Sequence, residues 1–64
     1  MIEGDIVELH EFVLEGIRVF DKWRPAVIIA VRPDKYCVKL LSGSFDDGHD
    51  RMWISSDGRG TQWR

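Results

Sequence analysis

Cysteine is almost missing from this chain: Cys37 is the only one in 64 residues. A lone thiol cannot close an intrachain disulfide. Set inside an apolar run, it reads as a small hydrophobe, and such usage fits a reducing, cytoplasmic setting. No apolar stretch approaches the roughly 18 residues of a membrane span. The opening Met1-Ile2-Glu3-Gly4-Asp5 has neither the basic region nor the hydrophobic stretch of a secretory signal. No phosphate-binding glycine loop occurs, because Gly58-Arg59-Gly60 does not join a strand to a helix. Histidine is limited to His10 and His49, and neither stands beside a candidate nucleophile. Asp46, Asp47, His49 and Asp50 cluster, but their spacing fits no calcium loop, and they read as an exposed acidic turn. The expectation is a cytoplasmic protein that is not an enzyme, holds no cofactor or metal, and does not engage a membrane.

What is present is apolar and aromatic. Hydrophobic residues make up 44%, with three Trp, three Phe and one Tyr, enough for a core and too much for a disordered chain. A chain this short buries only about 60% of the surface it exposes when unfolded, so residues 1–64 are expected to form one marginal domain. Self-association into a homodimer is one way to make up the deficit. Formal charge is −2, which argues against strong non-specific nucleic-acid binding. The distribution is uneven. Glu3, Asp5, Glu8, Glu11 and Glu15 fall in the first fifteen residues with no Lys or Arg, whereas Arg51, Arg59 and Arg64 lie near the end.

Periodicity points to strands. Val7 and Leu9 alternate with acidic or polar neighbours across Asp5–Phe12, the period-2 pattern of a half-buried strand. Phe12–Phe20 holds two β-prone arms about Glu15-Gly16 and reads as a long hairpin-like excursion; a helix there is disfavoured by Val13, Gly16, Ile17 and Val19. Asp21–Pro25 predicts a corner, since proline fixes φ and biases the residue before it. Ala26–Val31 is apolar on both faces, as in a central strand. Arg32-Pro33-Asp34-Lys35 is a turn. Tyr36–Leu41 returns with Tyr36, Val38 and Leu40 on one face and Cys37, Lys39 and Leu41 on the other. A polar loop, Ser42–Asp50, leads to a short strand at Arg51–Ile54, and Thr61–Arg64 is expected to close the sheet as a fifth strand.

Gly4-Asp5-Ile6-Val7-Glu8, then Trp23-Arg24-Pro25-Ala26-Val27-Ile28, then Tyr36-Cys37-Val38-Lys39-Leu40 together resemble the Tudor and Agenet branch of SH3-like domains over more than half the chain. The resemblance implies an all-β fold, a small five-stranded SH3-like barrel with a long first loop. It also implies an aromatic cage for methylated lysine or arginine, because aromatic faces attract a desolvated cation. Trp23 falls on a cage position. Arg24, Ser42 and Gly43 stand where further aromatics are expected, which leaves Phe45 and Trp53 as substitutes.

Two other functions compete. Arg51, Trp53, Arg59, Trp63 and Arg64 interleave basic and aromatic residues, a composition that stacks bases and neutralises phosphate. Phe12, Val13, Leu14, Ile17, Val19 and Phe20 carry more apolar bulk than a solvated excursion needs, the mark of a protein interface. Val27, Ile29 and Val31 on the outer face of the central strand would extend it. The preferred expectation is a protein-binding module. A chain of this size starting at its own Met looks like a small bacterial or phage product acting as an adaptor or as an inhibitor of a larger assembly.

Overall fold

The strand that opens at Ile6 does not stop at the expected excursion. In the computed structural model, which describes all of Met1–Arg64, β1 runs unbroken over Ile6–Glu15 and β2 over Arg18–Val31. They pair antiparallel in one register from Ile6↔Val27 to Glu15↔Arg18. The connection is two residues, Gly16-Ile17. Gly16 has φ +64 and Ile17 stays at negative φ, so Gly takes the first central position of a II′-like turn whose twist suits a hairpin. β3 (Lys35–Leu40) and β4 (Arg51–Ser55) complete a four-stranded antiparallel sheet in the order β1-β2-β3-β4, with no helix.

Four features differ from the sequence expectation. The long first loop is absent, because its residues continue β1 and β2. The corner at Asp21–Pro25 is also absent: β2 passes through Pro25, opposite Glu8. Proline is tolerated because the Pro25 carbonyl accepts from the Leu41 N–H at 3.2 Å. That edge of Pro25 faces Leu41, one residue past the end of β3, so its missing N–H forfeits only the return bond at the margin of the ladder.

A bulge, the third difference, lies between Ile28 and Ala30, where Ile28 faces Val38 but Ala30 faces Cys37. The extra residue, Ile29, reverses the alternation, so Val31 shares a rung with the core-packed Tyr36 rather than the outer face with Val27. Lastly, four strands are present, not five. Thr61–Arg64 makes a single bridge, Leu9↔Trp63. There the Glu8 N–H donates to the Arg64 carbonyl at 2.7 Å and the Arg64 N–H returns to Glu8 at 2.9 Å, while the His10 N–H donates to the Gln62 carbonyl at 2.8 Å.

The sheet curls round seven buried side chains: Val7, Leu9, Ala26, Ile28, Val38, Leu40 and Ile54. Tyr36, Phe45, Met52 and Trp63 pack against them. The far halves of β1 and β2 have no third strand beside them. They leave the curl as a two-stranded arm, which gives the molecule its 39 × 22 × 18 Å shape.

Candidate functional site

The arm follows from register. Odd residues of β1 and their partners put Glu11, Lys22, Val13, Phe20, Glu15 and Arg18 on the face that continues the core. Even residues put His10, Trp23, Phe12, Asp21, Leu14 and Val19 on the other. Apolar side chains therefore project from both faces, and no third strand covers them. Phe12 is 68% exposed, Leu14 75% and Ile17, at the tip, wholly exposed; Val19 and Phe20 are exposed and Val13 half-buried. An open hollow of 320 Å³ at the base of the arm is lined by His10, Phe12, Gly60, Thr61 and Gln62.

Two devices anchor the arm at its root. On the core-side face, the Arg24 side chain is only 16% exposed. Its Nη1 donates to the Ser44 carbonyl at 2.9 Å and its Nη2 to the Ser42 carbonyl at 3.2 Å. The Glu11 carboxylate lies 3.6 Å away, and the guanidinium sits 5.8 Å from the Phe45 ring centre. Arg24 thus staples the Ser42–Asp50 loop to the arm through charge-assisted bonds. Gly43 makes room for it: the residue has φ +74, and a Cβ there would lie 2.8 Å from Arg24 Nη2. On the opposite face, the His10 ring meets Phe12 edge-on at 4.5 Å and Trp23 at 5.0 Å, and its Nε2 lies 3.1 Å from Asp21 Oδ1. Arg64 covers Trp23 at 3.9 Å while its Nε reaches Glu8 at 3.2 Å, so the tail is clamped across two rungs, His10↔Trp23 and Glu8↔Pro25.

The three aromatics expected to form a cage are dispersed. Trp23 and Arg24 are neighbours on a strand and point to opposite faces, so Phe45, which packs on Arg24, lies across the ribbon from Trp23. Trp53 is on β4, in the rung Ala30, Cys37, Trp53. Trp23 and Ala30 are seven steps apart along β2, roughly 20 Å at strand rise. Each ring already has a cation of the chain over it: Arg64 on Trp23, Arg24 on Phe45, and Lys35 and Arg32 on Trp53.

The basic and aromatic set near the end of the chain is divided as well. Trp63 turns inward: it packs against the core, its Nε1 donates to the Ser55 carbonyl at 2.8 Å, and its ring meets Tyr36 edge-on at 5.8 Å. Arg59 is held in a turn with Asp57 at 3.1 Å. The Asp57 carboxyl is shifted below the ordinary aspartate range, chiefly by the bond from the Ser55 hydroxyl at 2.6 Å, then by the Arg59 N–H at 3.1 Å and the Arg59 charge. Arg64 is committed to Trp23 and Glu8. Only Arg51 and Trp53 stay together on one outer face.

Sequence reasoning missed the residues that join them there, Arg32, Lys35 and Lys39, and it missed Arg24 as a clamp. Alternation along β3 did place Lys39 beside Cys37. The neighbourhood of Arg32 and Lys35 depends on cross-strand register. No group of three or more His, Cys, Asp or Glu side chains converges in an arrangement that could hold a metal ion. No protein family, curated protein or solved structure matches the chain.

Proposed function

We propose that this chain is a non-enzymatic protein-binding domain, an SH3-like barrel whose projecting β-hairpin is the recognition element. Its partner is a different protein with an apolar cleft, which the domain engages as an adaptor or as an inhibitor of a larger assembly. One observation carries the reading: the arm bears Phe12, Leu14, Ile17, Val19 and Phe20 in the open on both of its faces. Water contact with that much contiguous apolar surface is unfavourable, and covering it favours association at about 25 cal/mol per Å². The two outer backbone edges of the arm are unpaired by any strand, so a partner strand can also add to the ribbon by main-chain bonding.

Ile17 presents its whole side chain outward at the tip. The hollows of this chain off the arm combine charged rims at Glu11, Asp46, Asp47, Arg24 and Arg51 with apolar walls of Leu9, Phe45 and Met52, so a second copy is the competing occupant, and sedimentation distinguishes the two.

A cross-linking pull-down tests this, comparing wild type with a variant carrying Phe12→Ser, Leu14→Ser and Ile17→Ser. A partner retained after nuclease treatment and lost with the variant supports it. Capture that ignores the three substitutions, or that vanishes with nuclease, removes it. Sedimentation showing a dimer dissolved by the same substitutions would replace the foreign partner with a second copy.

A further inference from the structure

A second surface lies away from the arm, on the outside of β2, β3 and β4. Strand alternation puts Lys35, Cys37 and Lys39 of β3, and Arg51, Trp53 and Ser55 of β4, on the face opposite the core residues Val38, Leu40 and Ile54. Cross-strand pairing sets Lys39 beside Arg51, and Cys37 beside Trp53. The indole of Trp53 is 45% exposed although the chain has a curled interior in which to put it. Lys35 Nζ lies 4.8 Å from its ring centre, and Arg32, from the turn before β3, lies 5.8 Å away.

The charges here are also unusual for this chain. Its net charge is −2, yet neither β3 nor β4 contains an acidic residue. Arg24, Arg59 and Arg64 are each ion-paired elsewhere. Arg32, Lys35 and Lys39 have no carboxylate within salt-bridge distance, and Arg51 has only the exposed Asp50 at 3.7 Å. The remaining acids border the patch at Asp34 and Asp57, and the Asp57 carboxylate is occupied by Ser55 and Arg59. Four cations therefore surround one half-exposed indole, Lys35 and Arg32 over its ring and Lys39 and Arg51 beside it, and three of the four have no carboxylate partner.

We propose that this face binds single-stranded nucleic acid, with a base stacked on Trp53 and its flanking phosphates neutralised by Arg32 and Lys35 on one side and Lys39 and Arg51 on the other. Lys35 and Lys39 are about 13 Å apart along the strand, enough to follow a short stretch of backbone. Stacking is sequence-tolerant because every base has a π-face, and a single strand offers base faces that a duplex hides. Base-specific reading of a duplex would need an element that enters a groove. The only projecting element is the arm, which is mainly apolar and carries Glu11, Glu15 and Asp21 against Arg18 and Lys22.

The test is fluorescence anisotropy with labelled oligo(U), oligo(dT) and a hairpin duplex over a salt series, on the full chain. Both single strands, or one of them, should bind at low salt and more tightly than the duplex. The slope of log affinity against log salt should be about −2 to −3, for three to four neutralised phosphates. Trp53→Ala should weaken binding by about tenfold or more, and Lys39→Glu should weaken it and flatten the slope. Arg18→Glu, the same charge change at the tip of the arm, should leave it intact, as should the triple arm variant.

Preference between oligo(U) and oligo(dT) would assign the site to RNA or to DNA. The proposal is overturned by absence of binding at low salt, by a preference for the duplex, or by equal losses from Lys39→Glu and Arg18→Glu. It is also overturned if Trp53→Ala, folded by circular dichroism, binds as wild type.

Discussion

The curled base and the projecting arm are made from the same two strands, and they differ in nearly everything that packing controls. In the base, Val7, Leu9, Ala26 and Ile28 are buried because β3, β4 and the tail close over them. In the arm, Phe12-Val13-Leu14 and Val19-Phe20 are unbroken apolar runs that put side chains on both faces, and no third strand pairs beside them. The comparison shows that β-prone residues specify a strand but not what covers it. A two-stranded ribbon is marginal on its own, so the arm takes its order from its root, and its apolar residues lie outside the core.

The sharpest way to break this contrast is to remove a side chain from the base. Ile28→Ala should cost about 2–5 kcal/mol, since it deletes a wholly buried side chain and leaves a cavity. In a domain this small that is much of the total stability, and a denaturant melt should show it directly. A loss under about 1 kcal/mol would mean that the base is not the stabilising half.

Next in size is the junction. Arg24→Ala should cost about 1–3 kcal/mol, through the charge-assisted bonds to Ser42 and Ser44. Gly43→Ala should cost about 1 kcal/mol or more, because it forces a side chain to positive φ and displaces the same guanidinium. Because both act on one contact, the double variant should fall short of the sum. Full additivity in the melts would separate Gly43 from the clamp.

A smaller effect is expected in the turn that leads the tail back to β1. The folded-state pKa of Asp57 is lowered, so its ionised form stabilises the fold above the unfolded aspartate value of about 3.9. That contribution is lost as pH falls through the lowered folded value. Asp57→Asn keeps an acceptor for Ser55 and Arg59 but removes the charge. Its melting temperature should lie slightly below wild type at neutral pH, and the gap should close on acidification. A gap that widens in acid would reverse the sign. The least effect belongs to the arm: Leu14→Ser should change stability by within about 0.5 kcal/mol, as a surface substitution does. A loss as large as that of Ile28→Ala would place the arm in the fold rather than in an interface.

The residues by themselves made the backbone extended almost throughout, assigned Val7, Leu9, Val38 and Leu40 to one face of their strands, and marked Gly16 as a hairpin tip. These are local consequences of period-2 alternation and of glycine's access to positive φ, legible over a few neighbours. Only the folded chain decided that β2 runs straight through Pro25, because proline's missing donor costs little just where β3 has ended. The uniformly apolar Ala26–Val31 run gave no alternation that could betray the bulge at Ile29. Tertiary packing also separated five residues that composition had grouped, turning Trp63 inward, pairing Arg59 and Arg64, and surrounding Trp53 with Arg32, Lys35 and Lys39. Those outcomes depend on which residues of distant strands share a rung, and a one-residue change of register exchanges the inside of a sheet for its outside.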